Sequence, residues 1–227
     1  MKSFDRFAVV CSTAGSVLES VLEKDENFRQ RLRLVVTDRP CGAENVSGRF
    51  GVPHVRIEEA SGVFFSERLK NILIENAIDA VFLFFSRILS GPVLELFSGR
   101  LINFHPSLLP AFPGLHGFED GWVSTSLLLG STVHFVDSGI DTGPIIQQAF
   151  LPINRAVDSM SEIRHRIFIQ QCASLSQVSE WISKRRVLIG GEGKVVIEGA
   201  NYHDMNGFIP ALENNVARNI ISAQSYL

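Results

Sequence analysis

With 227 residues, 45% apolar and 20% charged, the chain has the composition of an ordinary globular protein and length for one large domain, or one domain with a small appendage. A net charge of −3 gives no basic footprint for nucleic acid, and no run reaches the roughly 20 apolar residues of a membrane-spanning helix. Cys11, Cys41 and Cys172 are odd in number and lack metal-type spacing, and the N-terminal apolar run is too short for a signal peptide, so the expected compartment is the cytoplasm.

Phe7-Ala8-Val9-Val10 is a short apolar run, followed by the small-residue loop Ser12-Thr13-Ala14-Gly15-Ser16 and a helix expected from Val17 to about Phe28. Strand, small-residue loop and helix form the opening of an α/β nucleotide-binding unit. Leu32 to Thr37 reads as a second strand. A short helix over Ala43–Phe50 and a brief strand near His54-Val55 follow. Leu69, Ile72, Leu73 and Ala77 recur at helical spacing within a helix expected from Ser66 to Asn76. Ala80 to Phe85 is continuously apolar, as a strand buried on both faces should be. Gly91-Pro92 restarts a helix to about Phe97, with Pro favoured at its first position. Leu101 to His105 is then a central strand that ends at a Pro-rich loop.

Alternation of strand and helix from residue 7 to 105 predicts an α/β, Rossmann-like, mostly parallel sheet with helices on both faces. Thr132–Val136 and Ile145–Phe150 extend it in antiparallel sense. A long helix over about Ser159–Ser183 follows, then a short hairpin of Val187–Ile189 and Lys194–Ile197 around Gly190-Gly191. The tail from Asn201 is expected to be largely irregular. Residues 1–185 are read as the catalytic domain, and 186–227 as a C-terminal hairpin and tail packed on it. Oligomeric state stays open, a homodimer included.

Ligands of such sheets gather beyond the carboxyl ends of the strands, where the Ser12–Ser16 loop, Ser86-Arg87-Ile88-Leu89, Asn103 and His105 all fall. An amide and an imidazole two residues apart share one face of a strand. A carboxylate in the later turn Asp141-Thr142-Gly143-Pro144 could orient the imidazole; taken alone, Asp before Thr-Gly-Pro reads as a turn residue. Oxyanion donor, acid/base and orienter are the parts for acyl transfer. His134, alternating with Val133 and Phe135, reads as structural. Cys11 has no basic partner in sight for a thiolate.

The elements Asn103-Phe104-His105-Pro106-Ser107-Leu108-Leu109-Pro110, Gly130 to Asp137 and Asp141-Thr142-Gly143-Pro144, in that order and spacing, resemble the folate-dependent formyltransferases, most closely the branch acting on glycinamide ribonucleotide. The resemblance runs from about Val81 to Phe150. It implies a catalytic trio of Asn103, His105 and Asp141, with 10-formyltetrahydrofolate as formyl donor, a small-molecule amine as acceptor, and no metal. It implies a pterin site along Arg87, Ile88 and Leu89, closed on its other side by Val136, Asp137 and Ile140. Ser12, Thr13, Ala14, Gly15, Ser16, Pro106 and Gln171 would lie on the acceptor side. His116 reads equally as a residue at the acceptor's entry and as a surface loop histidine.

Two stretches depart from the family pattern. The family's first loop, G-x-G-S-N, is here Thr13-Ala14-Gly15-Ser16-Val17. Its Glu-His pair on the long helix is Gln171-Cys172. Both departures fall on the acceptor side. The implied activity is therefore formyl transfer to glycinamide ribonucleotide or a related small amine. The alternatives are transfer to a nucleotide-linked amino sugar and a catalytically inactive folate-binding module.

Overall fold

The computed structural model describes residues 4–203 and 207–223. The first strand, β1 (Phe7–Cys11), is buried along its whole length. Gly15 then takes a left-handed conformation (φ 77°) ahead of helix α1 (Ser16–Lys24). A Cβ at Gly15 would lie 2.8 Å from the Ala43 Cα, so close backbone approach and positive φ both require glycine there.

The single helix expected to Phe28 is two helices, α1 and α2 (Glu26–Arg31). Asp25 breaks it: its buried carboxylate caps α2 by accepting the Phe28 amide at 3.0 Å. The next elements are β2 (Leu32–Thr37), α3 (Gly42–Phe50), β3 (His54–Arg56) and α4 (Gly62–Glu75), which starts four residues earlier than the apolar spacing indicated. Strand β4 (Ala80–Phe84), α5 (Pro92–Leu96) and β5 (Leu101–His105) complete the first half.

In the second half, α6 (Gly117–Val123) precedes two eight-residue strands, β6 (Leu128–Phe135) and β7 (Ile145–Pro152). Helix α7 (Met160–Ser183) begins at a capping box, in which Ser159 accepts the Glu162 amide and Glu162 accepts the Ser159 amide. Strands β8 (Val187–Ile189) and β9 (Val195–Ile197) form the expected hairpin as a separate two-stranded sheet. The tail is more regular than expected. Strand β10 (Phe208–Ile209) pairs with β7, and α8 (Asn215–Ser222), capped by Asn214, buries Ala217 and Ile220.

The main sheet has the order β10-β7-β6-β5-β4-β1-β2-β3. From β3 to β5 all pairings are parallel; β6, β7 and β10 are antiparallel to their neighbours. The fold is thus α/β with a mostly parallel, Rossmann-like sheet and an antiparallel extension. After β3 the chain crosses β1 to lay down β4 on its other side, so the strand order reverses between β1 and β4. The crevice at their carboxyl ends is where such sheets bind ligands.

Alternate residues of each central strand enter different cores. Phe7, Val9, Phe82, Ile102 and Phe104 join α1 and α7 on one face. Ala8, Val10, Val81, Leu83 and Leu101 join α4 and α5 on the other. Asn103 and His105 share the parity of Leu101, so they leave β5 on the α4/α5 side, at its carboxyl end.

Candidate active site

A cavity of about 760 Å³ opens over the carboxyl ends of β1, β4 and β5. Asn103 and His105 stand at its floor, and Asp141 reaches them from the loop after β6. The His105 ring is buried, with Nδ1 3.3 Å from Asp141 Oδ2 and Nε2 2.9 Å from the Phe112 carbonyl oxygen. Both neighbours are acceptors, so the doubly protonated ring is the form that satisfies both. Phe112 has φ 57°, a left-handed conformation that aims its carbonyl at His105 and at the Ser107 hydroxyl, which donates to it at 3.0 Å. Asp141 also has positive φ (54°), which Asp tolerates better than most residues.

A fourth group joins them. His134 lies opposite Asn103 in the β5/β6 ladder. Its Nδ1 donates to the Phe135 carbonyl at 2.8 Å, which leaves Nε2 of the neutral ring as an acceptor, and Asn103 Nδ2 donates to it at 3.1 Å. The second Asn103 amide hydrogen faces Asp141 Oδ1 at 3.5 Å, the limit of a hydrogen bond, and is the donor a ligand oxygen could take over. His134, expected to be structural, thus lies in the site and holds Asn103 in place. The signal for a place in the site lay in strand parity: an antiparallel neighbour of β5 puts the residue opposite Asn103 on Asn103's face.

The carboxyl of Asp141 is held down to about 2. The His134 imidazole is the first cause, with the Gly114 amide and the His105 charge adding to it and burial opposing. His134 Nε2 lies 3.6 Å from Asp141 Oδ1. The Gly114 N–H donates to Oδ2 at 2.7 Å, tying the Pro-rich loop to the carboxylate. Burial pushes the Cys11 thiol up, as suits a packed thiol rather than a nucleophile.

The residues lining the cavity come from both sides of the sheet, and each side is taken as one lobe. On the α4/α5 side the walls are Leu83, Ile88, Leu89, Val136 and Ile140. Arg87, Ile88 and Leu89 line this lobe, and among the described residues their backbone amides have no hydrogen-bond acceptor, which leaves donors beside apolar walls. That combination suits a flat heterocycle such as a pterin. The Arg87 guanidinium turns away, donating to the Glu59 and Ala60 carbonyls at 2.7 and 2.6 Å and lying over the Phe65 ring. Asp137 lines the cavity while its Oδ1 closes the following loop, accepting Gly139 N–H and the Thr142 hydroxyl.

On the α1/α7 side the lobe is walled by Thr13, Gly15, Ser16, Phe118 and, from α7, Arg164, Ile167, Phe168 and Gln171. Pro106 also lines the cavity. Ser12, Ala14 and His116 do not: the Ala14 carbonyl lies against Gly42, and His116 sits exposed ahead of α6. Arg164 and Phe168 had no sequence signal beyond helical spacing. Among the described residues, no cluster of three or more His, Cys, Asp or Glu side chains could hold a metal ion.

A family model described as formyl transferase matches residues 5–178, reaching well beyond the stretch whose motifs carry the resemblance. The Bacillus subtilis (strain 168) protein named phosphoribosylglycinamide formyltransferase is 32% identical over 169 residues, covering 71% of this chain and 86% of that one. The human trifunctional purine biosynthetic protein adenosine-3 is 30% identical over 197 residues, 84% of this chain; the match spans only 19% of that protein's length. The solved glycinamide ribonucleotide transformylase 1 from Symbiobacterium toebii superposes with a TM-score of 0.79 at 31% identity, over 86% of this chain and 94% of its own.

Proposed function

The chain belongs to the formyl transferase family, and from that premise we propose that it is an N-formyltransferase. It moves a formyl group from 10-formyltetrahydrofolate to a primary amine, glycinamide ribonucleotide or a related small amine. One observation carries the reading: Asn103, His105, His134 and Asp141 converge in one cavity that is lined from both sides of the sheet. A donor in one lobe and an amine in the other would present the formyl carbon and the nucleophile to each other over these four groups.

The folate supplies an activated formyl group, whose carbon accepts the amine's lone pair while the formyl oxygen gathers negative charge. Asn103 donates its second amide hydrogen to that oxygen, and His134 fixes the plane of the amide. His105, protonated and held by Asp141, adds its Nε2–H once the Phe112 carbonyl moves off it. Each such donor is worth ~10²–10³ in rate. As the new C–N bond forms, the amine loses a proton to the Asp141 carboxylate, directly or through water; as the oxyanion collapses, the bond from the formyl carbon to the folate nitrogen breaks, and that nitrogen takes its proton from His105. No covalent bond to the enzyme forms.

The test is release of tetrahydrofolate from 10-formyltetrahydrofolate with and without amine acceptors. Saturable, acceptor-dependent release that is lost in Asn103→Ala and His105→Ala is the expected result. Tight folate binding without release for any amine would instead identify a binding module. Absence of folate binding would remove the reading altogether.

A further inference from the structure

The α1/α7 lobe carries a specific chemical face. Arg164, Phe168 and Gln171 follow at i, i+4 and i+7 on α7 and all line the cavity, a stripe about 10 Å long at ~1.5 Å per residue. The opposite wall is the first turn of α1, where Gly15 leaves the helix N-terminus without a side-chain cap and Val17 adds an apolar patch. The stripe holds a cation, an aromatic ring and a neutral amide, and no carboxylate.

Arg164 is held in place rather than free. One of its nitrogens donates to Glu119 at 2.7 Å, and the guanidinium lies over the Phe118 ring at 4.2 Å from its centroid. A guanidinium has five N–H donors in a planar fork, so a single contact to Glu119 leaves most of them for a ligand. Phe168 is half-buried, stacked on by His165 with centroids 5.8 Å apart, and packs against the core that includes Val17. Its ring is thereby held at the cavity wall, a planar apolar group that a ligand ring can meet by its edge or its uncovered surface. Gln171 can donate and accept at once and so reads a hydroxyl or a carbonyl.

We infer that Arg164, Phe168 and Gln171 select the acceptor. The acceptor is a primary amine whose scaffold carries both an anionic group, for Arg164, and a planar ring, for Phe168. A nucleotide-linked amine has both; glycinamide ribonucleotide has the anion but no aromatic ring. This rests on the reading of the site as a formyltransferase and narrows its substrate class.

The experiment separates the two. Calorimetric binding of a thymidine-diphosphate-linked amino sugar and of glycinamide ribonucleotide is measured on full-length protein saturated with tetrahydrofolate, so no chemistry is needed. The nucleotide-linked amine should bind at least tenfold tighter. Arg164→Ala should weaken both ligands about tenfold. Phe168→Ala should weaken only the nucleotide-linked one, by about three- to tenfold, as loss of one stacking contact implies, and Phe168→Tyr should restore it. In turnover assays the same changes should appear in KM far more than in kcat. A preference for glycinamide ribonucleotide, or affinities unmoved by both alanine variants in protein that still binds folate, would overturn the inference and leave formyl transfer standing. Selective binding without transfer to any amine would support the α7 face as the selecting wall and count against the transfer reaction alone.

Discussion

Replacing Gly117 by Ala should disable the site while leaving the fold nearly unchanged. Gly117 opens α6 directly against the His105 ring, and an added Cβ would lie 2.5 Å from Nε2, 3.0 Å from Cε1 and 2.7 Å from the Phe112 carbonyl oxygen. Ordinary contact begins near 3.4 Å, so ring and loop must retreat by roughly 1 Å. A catalytic group misplaced by about 1 Å costs about 10²-fold in rate, or ~2.7 kcal/mol in the barrier. Stability should change less: at the first residue of the helix Ala gains only part of the ~1 kcal/mol it gains over Gly in a helix interior, set against an overpacking cost of ~1–3 kcal/mol. Melting temperature should therefore move by only a few degrees, at roughly 2–4 °C per kcal/mol for a chain of this size. The assay is kcat for tetrahydrofolate release beside thermal unfolding and folate binding. A kcat within threefold of the parent protein would refute the claim that His105 must stand where it does.

Three further outcomes follow from the same geometry. His134→Ala should lower kcat about fivefold, since Asn103 loses a hydrogen bond worth about 1 kcal/mol, and His134→Gln should recover part of it by supplying another acceptor. The folded Asp141 carboxyl, held down to about 2 from 3.8, contributes stability that is complete above pH ~4 and is lost as pH falls through about 2. Denaturation midpoints measured from pH 5 to pH 2 should thus fall less steeply in Asp141→Asn, by ~2 kcal/mol over the window; equal slopes would contradict it. Asp25→Ala should cost about 1–3 kcal/mol, because the variant loses the α2 cap and strands the Ser176 hydroxyl, which donates to the same carboxylate. Urea titration measures this, and a loss under 0.5 kcal/mol would show that the buried carboxylate is dispensable.

Where the sequence carried a periodic signal, the structure follows it closely. The fully apolar β1 and β4, Pro92 at the start of α5 and the capped α7 were all legible, because each is set by local pattern and burial. The break at Asp25 was not. The residue sits inside a helical spacing, and its capping role depends on burial beneath Ser176 of α7, some 150 residues away in the chain. The tail was unreadable for a similar reason. β10 is two residues long and exists as a strand only because the edge of β7 offers it a partner.

The site divides along the same line. Asn103, His105 and Asp141 belong to short, unusual motifs at strand ends and turns, where only a few residue types can place an amide, an imidazole and a carboxylate together. His134 reaches them across an antiparallel ladder, so its part depends on which strand lies beside β5, which the chain's own pattern does not state. The acceptor wall is harder still to read, since Arg164, Phe168 and Gln171 repeat at the spacing of any half-exposed helix face. Helical spacing puts three residues on one side; it does not say whether that side meets solvent, core or ligand. Only the packing of α7 against α1, β6 and β7 turns that side toward the cavity. On the proposed reading, transfer chemistry is written in the motifs, and acceptor choice in the docking of one helix. Were both proposals to hold, the residues that decide which amine is formylated could change without touching those that formylate it.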